Sequence, residues 1–479
     1  MNSFSLRHPW LVPVLLLGLA GCASVGPNYQ PPDLQAPAHF NGQAALAARP
    51  ASTQAPPLDQ WWTGFHDPAL TRLIERVQAQ NLDLAAAEAR IEAARAVLQR
   101  TRAQQLPAAD LSADSTREHQ SLESPLGKIA HALPGYQRDS TLYEADAGAS
   151  WEWDLFGGLR RQTEAATAEA QAAEANRLGL RVSLTAEAAD AYFRLRGAER
   201  RLQLAEARAA TDSQWLTLTD LRVQDGLAAA HDRDLAQAQL ADTRALIAPL
   251  RQEIATQMNR LDVLMGAYPG ANAAQLAEPE SEEAIPAIGT AGGPADLLRR
   301  RPDVIAAERQ LAAANAEIGV AMAEYYPKVS LSALIGSASL GGGTLFTSAS
   351  EQAAAAVGLR WRLFDFGRVN GEVAEAKGRN AEALARYRQA MLRATEDVED
   401  AIVALIDNEA LRQQRQQQVD ARAAAYRKTQ LATARGALSL YDQLLEQRQL
   451  QQAQDQLQQA RTDNALAAVA TFRALGGGW

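Results

Sequence analysis

The chain has 479 residues and 47% of them are apolar, but 101 are alanine and only 6% are aromatic. Too few bulky side chains remain for the cores of about three ordinary domains, while the abundance of alanine, the strongest helix former, excludes a disordered chain. The balance of 47 basic against 56 acidic residues, net −9, argues against a nucleic-acid binder and leaves long helices whose backbones approach closely.

Residues 1–21 read as a targeting segment: Arg7 and His8 precede an apolar run from Leu11 to Leu19 that is too short to span a bilayer. Leu19-Ala20-Gly21-Cys22 follows, and Cys22 is the sole cysteine, so no intramolecular disulfide is possible. An ordinary cleaved signal with a chance cysteine is the plain reading. The tetrapeptide also resembles a bacterial lipoprotein signal, which implies that Cys22 becomes a lipidated N-terminus, with Ala23 compatible with outer-membrane sorting. Residues 22–67 are then a lipid-anchored lead segment.

From residue 68 the chain reads as two copies of one unit, 68–270 and 299–479, joined by a linker at 271–298. Residues 81–113 match 301–333 at twelve of 33 positions, among them Asp83/Asp303, Glu88/Glu308, Pro107/Pro327, Leu111/Leu331 and Ser112/Ser332. Trp153-Leu155-Phe156 matches Trp361-Leu363-Phe364 at an offset of 208, and Gly226, Asp232 and Gly266 match Gly436, Asp442 and Gly476 at an offset of 210. Each unit predicts helix, strand, strand, long helix, turn, helix. Helical spacing runs over 68–105 and stops at Pro107, as the second copy stops at Pro327. The period then becomes two, predicting strands at about 108–118 and 142–155, and again at about 328–339 and 353–364. Residues 160–223 form one unbroken helical pattern, on the order of 95 Å long at 1.5 Å per residue. Leu195, Leu202, Leu216 and Val223 share a seven-residue frame with Ala188 and Ala209, as do Leu384, Met391, Val398 and Leu405, which predicts coiled-coil packing. Turns fall near 224–230 and 434–440.

The alternating strands fit the edge of a soluble sheet or a membrane barrel. Their length, and an aromatic girdle of Trp151, Trp153 and Trp361, favour the barrel. Four strands cannot close a barrel, and an open edge cannot sit in lipid, so spanning strands require several chains in one barrel. The six histidines have no metal-ligand spacing, Gly341–Gly343 lack a following Lys-Ser or Lys-Thr, and no nucleophile–base pattern occurs; no enzyme, metal site or cofactor is expected beyond the lipid on Cys22.

These pieces resemble the outer membrane factor (TolC-like) family, and within it the NodT-type efflux lipoproteins. The resemblance is carried by Gly26-Pro27-Asn28-Tyr29, Leu298-Arg299-Arg300-Arg301-Pro302-Asp303, Tyr326-Pro327-Lys328-Val329-Ser330-Leu331, Trp361-Arg362-Leu363-Phe364-Asp365-Phe366-Gly367-Arg368 and Ala474-Leu475-Gly476-Gly477-Gly478-Trp479, spread over the whole mature chain. It implies a mixed α+β membrane protein: a homotrimer whose twelve strands form one outer-membrane β-barrel, continued by a twelve-helix periplasmic α-barrel with an equatorial belt. It also implies a passive exit duct for small molecules, fed by an inner-membrane RND-type transporter through a periplasmic adaptor (membrane fusion protein). Pro107 and Pro327, then Gly157, Gly158 and Gly367, mark the helix–strand transitions. Gate and adaptor-docking candidates at the periplasmic tip are Arg222, Asp225, Asp232, Arg435, Tyr441, Asp442, Glu446 and Arg448; a solvated helix face is the plain reading of each charge. A periplasmic coiled-coil scaffold or adaptor without a pore, and a duct for protein secretion, are the rival functions.

Overall fold

The structure, a computed structural model, describes residues 24–33, 37–49, 55–276, 285–288 and 293–479. Cys22 lies outside the described residues, as does part of the 271–298 linker.

Two compact units are present, and each draws on both sequence repeats. One comprises the described residues before 33 with Ile91–Ala172 and Ala307–Arg386; the other comprises Asp33–Arg90, Ala173–Ala306 and Tyr387–Trp479. The lead segment holds α1 (Gln43–Ala47) and a 3-10 helix (Leu58–Phe65). The first repeat then runs α2 (Pro68–Gln80), α3 (Leu82–Ala103), β1 (Ala108–His119), α4 (Pro125–Ala130), β2 (Asp139–Trp153), α5 (Gly158–Gln224), α6 (Ala230–Ala245) and α7 (Ile247–Leu264). After α8 (Ala273–Leu276) and α9 (Gly293–Arg300), the second repeat runs α10 (Pro302–Ala323), β3 (Lys328–Ser339), β4 (Glu351–Arg360), α11 (Arg368–Ala434) and α12 (Leu440–Ala474).

The boundaries make the duplication quantitative. α3 and β1 correspond to α10 and β3 at an offset of 220, and α5 corresponds to α11 at an offset of 210, each of the two long helices having 67 residues. α12 is a single 35-residue helix, whereas its counterpart is broken at Leu246 into α6 and α7. Pro249 explains the break: it has no N–H to give Ala245, and its ring crowds that carbonyl.

In the first unit the sheet order is β1-β2-β3-β4, antiparallel throughout. The register places Leu111, Ala147, Ile335 and Ala353 on one row, so one face is apolar. The opposite face carries Asp110, Asp114, Glu118, Glu144, Asp146 and Glu152. β1 and β4 are unpaired edges; β1 is exposed along its whole length and β4 almost so. β2 starts three residues before the alternating segment and stops two before its end, and β4 covers 351–360 rather than 353–364. Beyond Arg360 the Asp365 carboxylate accepts from the Gly367 and Val369 N–H groups, turning the chain toward α11.

The second unit contains an extended aromatic core. Trp61 stacks on Phe472 at 5.2 Å between ring centroids, Phe65 packs on Phe193 at 4.9 Å, and Leu70, Ile74, Val398 and Ile402 complete it. Many of the scarce bulky residues are therefore gathered here. Alanines such as Ala188 and Ala191 fill gaps in that core, and farther along α5 Ala198 and Ala205 are buried as well, where small side chains allow close backbone approach. Arg301 pins the C-terminal end of α12, donating to the Ala474 carbonyl at 3.0 Å and to Asp303 and Asp397 at 2.8 Å each.

Candidate functional site

Two regions bear on function, the helix–strand corners in the first unit and the hairpin tips in the second.

At the corners, α3 and α10 end four residues before Pro107 and Pro327, and a strand starts directly after each proline. Gly157 and Gly367 have φ of +80° and +89°, a region that L side chains avoid, and α5 and α11 begin at the next residue. Gly158 is the first residue of α5, where an added Cβ meets that of Ala323 at 3.0 Å. The Trp151 indole donates to the Gln105 carbonyl at 2.9 Å, and the Trp361 indole donates to the Tyr325 carbonyl at 2.9 Å. Gln105 and Tyr325 each stand two residues before the corner proline. Trp361 is thus the structural counterpart of Trp151, at an offset of 210, and not of Trp153 as the Trp-x-Leu-Phe match suggests. The motif misleads because a similar string lies two residues out of step, while position is set by the indole hydrogen bond and the glycine turn. Trp151 and Trp153 lie in β2, and Trp361 lies one residue past β4.

The lead segment is clamped at the same corner. Buried Arg161 donates to the Val25 and Gly26 carbonyls and to Asn28, and the Tyr29 hydroxyl donates to Glu308 at 2.5 Å. Gly26, at φ +88°, lies against Gly319, where a Cβ would meet backbone at 2.5 Å. This accounts for the Gly-Pro-Asn-Tyr string.

At the tips, Gly226 and Gly436 close the two turns with φ of +73° and +74°. Asp232 and Asp442 are equivalent caps. Asp232 accepts from the Ala229 N–H at 3.0 Å, and Asp442 accepts from the Ser439 hydroxyl at 2.6 Å and its N–H at 3.1 Å. The Ser439 hydroxyl and backbone N–H hold the Asp442 carboxyl below the ordinary aspartate range. Asp225 and Arg435 are exposed in their turns. Arg222 lies over the Tyr441 ring at 4.7 Å, and Tyr441 packs at 6.0 Å from Trp215.

About two turns into α12, Glu446 and Arg448 leave the helix on opposite flanks. Glu446 faces Arg422 of α11, its own hairpin partner, at 3.7 Å. Arg448 donates to Asp212 of α5 at 2.5 Å and lies 4.1 Å above the Trp215 ring. Asp212 is fully buried, and its other oxygen accepts from the Thr243 hydroxyl of α6 at 2.6 Å. This cluster ties α5 and α6 of the first hairpin to α12 of the second, so it resists their separation. Asp212, Trp215 and Thr243 are absent from the candidates drawn from the sequence. The signal was available for Asp212: Ala191, Ala198, Ala205, Asp212 and Thr219 recur every seven residues and all are buried. A lone charge in such a row needs a partner across the seam.

Among the described residues no helix is long and apolar enough to cross a membrane.

Comparison with known proteins agrees with the duplicated architecture. The model of the outer membrane efflux protein family matches twice, at residues 73–267 and 293–477. The pyoverdine export outer membrane protein OpmQ of Pseudomonas putida is 32% identical over 99% of this chain and 98% of that protein. Nodulation protein T of Rhizobium leguminosarum bv. trifolii is 30% identical over 98% and 97%. The solved outer-membrane channel OprN superposes with a TM-score of 0.82 at 34% identity, over 95% of this chain and 99% of that one. With its repeat, its edge-open sheet and its paired helical hairpins, the chain belongs to the outer membrane efflux protein family.

Proposed function

We propose that three copies close a twelve-stranded barrel in the outer membrane, continued by twelve helices in the periplasm, as a passive exit duct. An inner-membrane RND-type pump delivers small molecules to it through a periplasmic adaptor, and a lipid on Cys22 anchors the chain. The observation that carries this reading is the four-stranded sheet with one apolar face, one acidic face and two bare edges. Such a sheet is stable in lipid only when its edges are joined to others. The apolar face meets lipid and the acidic face lines the lumen, the alternation expected of outer-membrane strands. A scaffold without a pore has no use for a sheet that is polar on one face and apolar on the other.

The hairpin tips form the gate in this reading. Opening moves α12 away from α5, and the Asp212–Arg448–Thr243 cluster holds the closed state. The Arg422–Glu446 pair stays inside one hairpin and moves with it. Single-channel recording from purified trimers tests the duct: folded trimers that never conduct would overturn it.

A further inference from the structure

We infer that the loop between β3 and β4, residues 340–350, is a lipid-contacting flap at the end of the sheet farthest from the helices. Phe346 and Tyr143 sit at the bilayer boundary there, and Arg117 meets the phosphate groups of an anionic lipid. The inference rests on the closed-barrel reading and names what covers the outer end of its apolar face.

Side chains on one face of a sheet recur every second residue, and directly paired residues share a face. Leu111, Ala147, Ile335 and Ala353 therefore share theirs with Ser115, Tyr143, Ser337 and Ser339, which lie farther from the helices. Arg117 is the next residue of that face on β1, two past Ser115, and it is exposed.

The loop folds back over this apolar face. The Ser337 hydroxyl accepts from the Phe346 N–H at 3.0 Å and donates to the Ser350 hydroxyl at 2.7 Å. The Ser339 hydroxyl meets that of Thr344 at 2.5 Å and accepts from the Gly341 N–H at 3.2 Å. A Cβ on Gly342 would meet the Tyr143 ring at 3.6 Å. Ser337 is only 4% exposed beneath the loop, whereas Ile335, two residues back on the same face, is 65% exposed. The loop thus covers and satisfies the hydroxyls that interrupt the apolar face, as a surface in contact with lipid requires. On the outside of the flap Phe346 is 75% exposed at φ +68°. A bare aromatic residue in that backbone region is unfavourable against water.

The height of the flap fits a membrane boundary. From Trp151 to Tyr143 on β2 is about 27 Å along the strand at 3.4 Å per residue, or about 20 Å along the axis of a barrel whose strands tilt by about 40°. The apolar band of an outer-membrane barrel is about 25 Å tall, so a girdle at Trp151 puts Tyr143 and Phe346 near the opposite boundary. The flap is continuous with the apolar face below it, and one lipid layer covers both. Arg117 stands on the same face at its rim, where a guanidinium is stable only if it reaches out of the hydrocarbon to headgroup phosphates, which it binds with two parallel N–H groups.

The test places a nitroxide on Phe346→Cys in the full-length chain, reconstituted in vesicles of phosphatidylcholine and phosphatidylglycerol, and compares its collisions with oxygen, which concentrates in lipid, and with a water-soluble nickel chelate. Ile335→Cys marks the apolar face and Asp114→Cys the acidic face, and the unsubstituted chain reports any label on Cys22. Oxygen is expected to dominate at Phe346, more strongly still at Ile335, and nickel at Asp114. Nickel dominance at Phe346 with oxygen dominance at Ile335 would overturn the flap while leaving the barrel in place, and so would shielding of Phe346 from both reagents, which puts it against protein. Nickel dominance at Ile335 as well would instead count against a lipid-facing sheet and so against the duct. For Arg117, spin-labelled phosphatidylglycerol is expected to be held at the protein boundary in preference to spin-labelled phosphatidylcholine, and Arg117→Gln is expected to lose part of that preference with the Phe346 depth unchanged. An unchanged preference would remove Arg117 from the site.

Discussion

Replacing Asp212 by asparagine tests the gate where its energy is concentrated. The carboxylate is fully buried, and the Arg448 side chain that meets it at 2.5 Å is only 13% exposed. Breaking a buried pair by removing one charge costs about 3–5 kcal/mol, because the surviving charge stays desolvated. Asparagine keeps the shape of the side chain and its bond to Thr243, which places the loss near the lower end, about 3 kcal/mol. If separation of α12 from α5 opens the tip, the open state has already hydrated both groups and loses little. Each 1.4 kcal/mol is tenfold, so the closed-to-open ratio falls about a hundredfold. Single-channel recording of Asp212→Asn trimers in planar bilayers is expected to show long open dwells where the parent is mostly closed, and Arg448→Gln is expected to do the same. Arg422→Gln is the control, since the pair it breaks lies within one hairpin. The reasoning fails if folded Asp212→Asn and Arg448→Gln trimers gate like the parent, or if Arg422→Gln opens the channel to the same extent.

Further expectations follow from the same geometry. Burial pushes the Asp190 carboxyl up to about 6, against the opposing pull of Arg194 and Arg473. The folded state therefore binds the proton more tightly than the unfolded chain, and stability falls as pH rises from about 4 to about 6. Asp190→Asn is expected to raise the thermal midpoint at pH 8 by the equivalent of about 1–2 kcal/mol, after discounting for partial hydration, and to leave it nearly unchanged at pH 4; a gain independent of pH would contradict this. With six carboxylates on the polar face of the sheet, the open duct is expected to pass cations over anions, and Asp110→Asn with Asp146→Asn is expected to reduce that preference, read as the reversal potential in a salt gradient. An anion-selective reversal potential would refute the lumenal placement of that face. Asp442→Ala removes a helix cap and is expected to loosen the helix end locally, seen as faster amide exchange at the start of α12; protection unchanged there would show that the cap does not hold the helix end.

Much of the architecture was legible in the sequence because it depends on local chemistry. Pro107 and Pro327 stop helices wherever they occur, two-residue alternation marks a sheet with unlike faces, and Gly226 and Gly436 mark the hairpin turns. What escaped depends on which residues meet in space. The Trp-x-Leu-Phe strings look like counterparts, yet only Trp151 and Trp361 reach a helix-end carbonyl, so the apparent offset was two residues off. The end of β4 at Arg360 follows from Asp365 bonding to Gly367 and Val369, which alternation does not reveal. The break at Leu246 was implicit in Pro249, the first proline after Pro134. At the tip the exposed charges near the turns drew attention, while the cross-hairpin tie falls on Asp212, more than ten residues before the turn in an otherwise small-residue seam. The aromatic core drew on Trp61, Phe193 and Phe472, too far apart in the chain for any spacing rule to connect.

The most direct measurement is conductance of the purified, lipidated full-length chain reconstituted in planar bilayers. The account predicts discrete steps from trimers, cation-selective and raised in open probability by Asp212→Asn. Folded trimers that insert but carry no current, with or without that substitution, would contradict it.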